Sequence, residues 1–301
     1  MSLSLVVGLD AGGTKTAALG AVGDATVSQS GPGAQASRDG AEAASTQIAA
    51  LVDDLRQQAD APLAALAVGL AGAGRVETRD AVQHALESRF PDVPVTVVHD
   101  GDIAYRAAWG DESGALLLVG TGSMVLMRTD TGASLRAGGW GPAIGDDGSG
   151  TALGRAALRV LLAALDGGPP SALPEMAAET LGLASAPDVI ASVYEEKTPL
   201  ASFATLLLSA VEAGDWQAEA ALRTEVNALA RQVGWAATRA GDGVRQRLRY
   251  AGGLSNESAY ATALEAALER HVPGWDLGPC ASAPVEGALD LARSLVASGA
   301  G

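Results

Sequence analysis

Short apolar runs that stop abruptly at glycine alternate along this chain with longer stretches whose apolar residues recur three and four apart. The first run, Leu3 to Leu9, enters Asp10-Ala-Gly-Gly-Thr-Lys-Thr16. A second, Ala17 to Val22, stops at Gly23-Asp24, so residues 3–22 predict a β-hairpin. Val27 precedes the breaker Gly31-Pro32-Gly33, and a helix is expected from Asp39 to about Ala59. Leu66 to Leu70 reads as a buried strand ending in Ala71-Gly72-Ala73-Gly74. A helix over about Val76 to Phe90 leads to the strand Pro94 to Val98, which delivers His99-Asp100-Gly101-Asp102 at its C-terminal end. Strands alternating with helices in this way predict an α/β fold.

The opening pattern then recurs. Ala115 to Val119 is a strand, Gly120-Thr-Gly-Ser123 its turn, and Met124 to Arg128 a second strand. Gly138-Gly-Trp-Gly-Pro-Ala-Ile-Gly-Asp-Asp-Gly-Ser-Gly150 is too glycine-rich for regular structure. Helices are expected over Ala152 to Leu165, near Pro174 to Leu183, and from Trp216 to Ala240. Tyr250-Ala-Gly-Gly-Leu-Ser255 is another strand-end glycine turn, and the helix Pro284 to Val296 closes the chain. A boundary near Gly110 separates domains over 1–110 and 111–284, the second carrying a helical insertion.

Composition narrows the function classes. Hydrophobic residues at 48% and charged residues at 18% rule out wholesale disorder. Twenty Lys+Arg against 35 Asp+Glu give a net charge of −15, which disfavours nucleic-acid and anionic-membrane partners. An anionic substrate then needs a local site of backbone N–H groups or a metal ion. The single cysteine, Cys280, excludes an intrachain disulfide and a cysteine-built zinc or iron–sulfur site, and reads as a small buried hydrophobe. The start lacks a basic n-region, and no run approaches ~20 apolar residues, so a soluble cytoplasmic protein is expected.

Three segments carry candidate chemistry. In Asp10-Ala-Gly-Gly-Thr-Lys15 two glycines let backbone amides approach a phosphate without a Cβ in the way; Thr14 and Lys15 add donors, and Asp10 can hold Mg²⁺ through water. The spacing matches neither a Walker A loop nor G-x-G-x-x-G, and a plain glycine hairpin turn is the equal alternative. Gly120-Thr-Gly-Ser123 follows the same logic, and two such turns facing each other would clamp a polyphosphate. Asp100, at the end of a strand, suits a general base for phosphoryl transfer. Its alternative is an N-cap for a helix starting near Ile103, a role that Asp102 suits better, while His99 reads as a packing residue.

In this order, Asp10-Ala-Gly-Gly-Thr-Lys15, Asp100, Gly120-Thr-Gly-Ser123, Gly138-Gly-Trp-Gly141, Gly145-Asp-Asp-Gly-Ser149 and Ala251-Gly-Gly253 resemble the sugar-kinase and actin superfamily. The chain is most similar to the BadF/BadG/BcrA/BcrD ATPase family, and within it to N-acetylglucosamine kinases, from Gly8 to the Pro284-Val-Glu-Gly-Ala288 segment. The resemblance implies two RNase H-like, actin-like ATPase domains with an interdomain cleft, and a last helix (about 285–301) folded back onto the first domain. It implies an ATP- and Mg²⁺-dependent kinase acting on the 6-hydroxyl of N-acetylglucosamine or a related hexosamine. Gly12, Gly13, Thr14 and Lys15 match the first phosphate loop, and Gly120, Thr121, Gly122 and Ser123 the second. Gly252 and Gly253 match the adenosine motif, Asp10 the metal position and Asp100 the general base. Trp140 and Asp146 fall in the loop resembling the sugar-site lining.

Two departures leave the sugar open. Gln35 stands where sugar-binding members often carry Asn, and Ala71-Gly72 where a Ser-Gly is expected. Glucosamine and glucose are alternatives, as is a non-catalytic sugar- and ATP-binding regulator. Cys280, alone and near the C-terminus outside the cluster-binding region, argues strongly against an activator ATPase with a cysteine-held cluster. A ROK-type zinc motif is absent with His84, His99 and His271 the only histidines. The expected partner is a small-molecule sugar; a homodimer stays open.

Overall fold

The computed structural model describes residues 4–73 and 76–298. The readings at Leu3 and Gly74, and the last residues of the helix expected to 301, lie outside them. The chain forms two compact units, 1–112 with 280–301, and 113–279.

Unit 1 opens with β1 (Leu5–Ala11), β2 (Lys15–Val22) and β3 (Ala25–Pro32). Then come α1 (Ala36–Asp39), α2 (Ala41–Ala59), β4 (Leu63–Leu70), α3 (Val76–Arg89), β5 (Val95–His99) and α4 (Asp100–Trp109). The sheet order is β3-β2-β1-β4-β5, antiparallel through β1–β3 and parallel through β1, β4 and β5. The residues around Val27 form a full edge strand, where Pro32 is tolerated because no ladder bond is needed on its outer side. The single helix expected from Asp39 divides at Gly40, whose φ of 84° ends α1. Helix α4 begins at Asp100 rather than near Ile103, because His99 is its N-cap.

Period-two alternation decides which face of β1 meets which helix. Leu5, Val7 and Leu9 point to Ile48, Val52 and Leu55 of α2 and to Val82 and Leu86 of α3. The opposite face meets the C-terminal helix Pro284–Ser298 through Val6, with Ala65, Ala67 and Ala292 forming a small core. Gly8 lies on this face, and a Cβ there would overlap the backbone of Ala288 and Leu289. Gly287 in turn approaches the backbone of α4, where a Cβ would overlap the Ile103 carbonyl. Arg106 adds an ion pair to Asp290 at 2.6 Å.

Unit 2 repeats the sheet. It contains β6 (Gly114–Val119), β7 (Ser123–Arg128), β8 (Ser134–Gly138), α5 (Gly150–Leu165), α6 (Leu173–Leu181), α7 (Ala186–Ile190) and α8 (Ala204–Glu212). Next follow α9 (Trp216–Ala240), β9 (Arg247–Ala251), α10 (Ser258–His271) and β10 (Asp276–Pro279). The order β8-β7-β6-β9-β10 reproduces the first sheet strand for strand. Leu117, Val119, Val125 and Met127 pack on Leu153 and Leu161 of α5, Val226 and Leu229 of α9, and Leu264 of α10. Mixed α/β architecture with two five-stranded sheets is therefore observed. Among the described residues, no helix is long and apolar enough to cross a membrane.

The contact at Gly8 allows a direct test. Gly8→Ala places a methyl group inside backbone atoms that no rotamer change can move, so urea denaturation should show a loss of about 2 kcal/mol or more. Gly278→Ala, whose Cβ would meet nothing closer than 3.8 Å, should shift stability by less than about 0.5 kcal/mol.

Candidate functional site

In unit 1 the candidate residues gather at the C-terminal ends of β1, β4 and β5. The turn between β1 and β2 is closed by Gly12 N–H donating to the Lys15 carbonyl at 3.1 Å. Thr14 and Lys15 are exposed on it. Gln35 reaches the same turn, its Oε1 lying 3.2 Å from where a Cβ on Gly13 would stand. The end of β4 is tied to the end of β1 by Ala71 N–H donating to the Ala11 carbonyl at 2.9 Å, and Gly72 follows with φ 76°.

Asp10 and Asp100 meet electrostatically here. Asp10 is half-buried near the end of β1, between Ala17 and Gly69 on the neighbouring strands. Burial, and then the charge of Asp100, push its carboxyl up to about 6. Asp100 is the first residue of α4, and its Oδ1 accepts from Gly101 N–H at 2.8 Å. The same oxygen lies 2.6 Å from His99 Nδ1. Gly101 N–H also lies 3.0 Å from that nitrogen, a contact that needs Nδ1 as an acceptor. Two acceptors do not settle 2.6 Å apart, so Nδ1 carries a proton for Asp100 and the Gly101 N–H belongs to the carboxylate. Asp102 Oδ2 accepts from the backbone N–H of His99, the N-cap residue, at 3.2 Å, so it supports the cap from the first turn rather than being the N-cap itself.

Arg38 was not signalled by any motif. Its guanidinium donates to the Gly13 carbonyl at 2.9 Å and to Asp39 at 2.6 and 2.8 Å. Asp39 also accepts from Gln35 N–H at 3.1 Å, and the Arg38 hydrogen bond followed by this one holds its carboxyl below the usual range.

In unit 2 the turn 120–123 is docked onto the start of α5. Gly150 N–H donates to the Gly120 carbonyl at 2.8 Å, and the Thr151 hydroxyl to the Thr121 carbonyl at 2.8 Å. Ser123 is buried and donates to the Asp147 carbonyl at 2.7 Å, which joins this turn to the Gly145–Ser149 loop. Gly122 lies against Asp146, whose Oδ2 is 2.8 Å from where a Cβ would stand. Asp146 is buried, accepts from Gly141 N–H at 3.2 Å, and adopts φ 62°, an uncommon conformation for a residue with a Cβ. Trp140 is exposed with one face covered by the Arg136 guanidinium, 5.6 Å from the ring centroid. Two residues absent from the motifs hold this loop: buried Tyr260 donates to the Gly148 carbonyl at 2.7 Å, and Gln232 donates to the Asp147 carboxylate. Gly252 adopts φ 119° against the backbone of Val119, so β6 itself explains that glycine; Gly253 faces open space.

Among the described residues no group of three or more metal-ligating side chains exists. Asp10 is a carboxylate that burial and Asp100 make costly to ionise, and a cation there would relieve both effects. These residues fit a Mg²⁺ ion that takes most of its ligands from water and phosphate oxygens, as Mg²⁺ commonly does.

Residues 7–292 match the BadF/BadG/BcrA/BcrD ATPase family. An N-acetylmuramic acid/N-acetylglucosamine kinase from Clostridium acetobutylicum is 33% identical over 155 residues, which is 50% of this chain and 51% of that protein. An N-acetyl-D-glucosamine kinase from Dictyostelium discoideum is 27% identical over 250 residues, covering 76% and 78% of the two chains. A solved structure of a candidate N-acetylglucosamine kinase from Chromobacterium violaceum superposes with TM-score 0.72 at 27% identity, covering 97% of this chain and 100% of the other.

The raised Asp10 value fixes a pH dependence for the metal-free protein. A carboxyl that binds its proton more tightly when folded destabilises progressively as pH rises from 3.8 to about 6, and the full penalty persists above that. In EDTA, Asp10→Asn should therefore raise the free energy of unfolding at pH 7.5 by about 1–2 kcal/mol after discounting for solvent screening, and the Tm with it. The gain should shrink towards zero near pH 4. Calorimetric melts across that range check both the sign and the window.

Proposed function

Because this chain belongs to the BadF/BadG/BcrA/BcrD ATPase family, we propose that it is an ATP-dependent sugar kinase acting on the 6-hydroxyl of N-acetylglucosamine or a related hexosamine. The observation that carries the reading is Asp100 at the head of α4, electrostatically coupled to Asp10 beside the glycine turn 12–14. A general base, a metal carboxylate and a phosphate-binding turn are the parts phosphoryl transfer needs. The family and the names of the relatives support the substrate class.

The chemistry assigns distinct tasks to the residues. The backbone amides of Gly13 and Thr14, with Lys15, bind phosphate oxygens, and the turn 120–123 and Gly253 carry the second nucleotide-binding motifs. Asp10 would hold a Mg²⁺ ion through water, and that ion would offset phosphate charge. Asp100 Oδ1 is occupied by Gly101 N–H and the His99 ring, which leaves Oδ2 to accept the proton of the sugar hydroxyl as its oxygen bonds to the γ-phosphorus. The departing oxygen stays on ADP. Trp140 offers the indole face opposite Arg136 to a pyranose ring, and Asp146 accepts from sugar hydroxyls.

An ADP-release assay over N-acetylglucosamine, glucosamine, glucose and N-acetylmuramic acid tests the reading, and absence of turnover with every sugar would refute it. Asp100→Asn keeps the shape and the Gly101 contact but loses the proton acceptor. It should lower kcat by roughly 10²-fold or more while ATP affinity stays near wild type. Trp140→Ala should raise the sugar KM severalfold more than the ATP KM; equal changes would make the loop a structural element.

A further inference from the structure

Arg38 sits in the four-residue helix α1, and its side chain is 55% exposed. Exposed ion pairs contribute little stability, because solvent screens them and ordering two side chains opposes them. Its pairing with Asp39 is therefore better understood by what it orients than by what it stabilises. The guanidinium forms four hydrogen bonds: two to Asp39, one to the Gly13 carbonyl at 2.9 Å and one to the Gly33 carbonyl at 3.4 Å. Asp39 thus fixes the planar fork, and the fork grips the glycine turn.

The Gly13–Thr14 peptide is held on three sides. Arg38 takes its carbonyl edge. Gly33 lies against its face, where a Cβ would fall 2.5 Å from the Gly13 carbonyl carbon and 2.6 Å from the Thr14 nitrogen. Gln35 Oε1 lies over Gly13 itself. A trans peptide is rigid, so a carbonyl aimed at Arg38 aims the Thr14 N–H in the opposite direction. Gly13, with no side chain, has little intrinsic preference for that orientation.

We propose that Arg38 is a positioning residue whose guanidinium clips the Gly13 carbonyl and so presets the Thr14 N–H to receive a phosphate oxygen of the nucleotide. The proposal rests on the kinase reading above. Donors already aligned need no reorganisation at the moment of transfer, which is where such groups act most strongly. Through Asp39 and Gln35 N–H the same clip ties the phosphate turn to the residue expected to touch the sugar.

Two measurements test it separately from that reading. In the free protein, Arg38→Ala should shift or broaden the amide resonances of Gly13 and Thr14 in ¹⁵N-labelled samples, reporting a peptide that now samples two orientations. In steady-state kinetics with ATP, Arg38→Ala should lower kcat by about tenfold or more and raise the ATP KM, with an unchanged Tm. Arg38→Lys keeps the charge without the fork and should recover little. Added guanidinium ion should restore Arg38→Ala severalfold. Unchanged, sharp Gly13 and Thr14 resonances in Arg38→Ala would overturn the clip, as would a kcat within twofold of wild type. If wild type itself turns over no sugar, the kinase reading fails while the resonances still decide the clip. Should Arg38→Ala not fold, Arg38→Lys carries the same comparison.

Discussion

Unit 1 is organised by the approach of one helix backbone to another and to a strand. Gly8 and Gly287 carry no side chain at the two points where the C-terminal helix meets β1 and α4. Any methyl group there would push the helix outward, and interiors at crystal-like density have no slack to absorb the shift. Gly69 admits Ile103 of α4 in the same way. The position of α4 along the sheet is set by these contacts and by Arg106–Asp290. Asp100, the proposed general base, is the first residue of that helix, so its carboxylate is placed by packing at the helix's other turns.

The parts of the fold legible from sequence were those with short-range signals. Both strand–glycine turn–strand openings are visible because the period of two and the breaker lie within about twenty residues. The long amphipathic α9 was expected over the residues it occupies, Trp216–Ala240. By contrast, α8 (Ala204–Glu212) has only nine residues and α10 is rich in alanine, so each gives a short or shallow helical pattern. Strand β10 has only four residues, and β8 alternates on a largely exposed surface.

The candidate site divides along the same line. Glycine turns and carboxylates were readable in order along the chain, whereas the groups that hold them arrive from afar. Tyr260 reaches Gly148 across 112 residues, and Gln232 reaches Asp147 across 85. Arg38 reaches Gly13 across 25. No local pattern marks such a side chain, because what selects it is a partner in space. His99 is the instructive case: as a lone histidine after a strand it reads as packing, yet it occupies the N-cap position of α4 and its ring touches Asp100. In a chain carrying a net charge of −15, these polar supports also keep the acidic groups in defined places despite their mutual repulsion.

The C-terminal helix has a consequence for biosynthesis. Arg106 and Asp290 are 184 residues apart, and the segment between them includes all of unit 2, a continuous stretch with its own core. During vectorial synthesis unit 2 can complete its fold as it emerges, while β1 and α4 wait for the helix Pro284–Ser298. Closing so long a loop is slow relative to local contacts. A chain in which residues 284–298 have not yet been made therefore carries every loop of the candidate site with α4 unclamped.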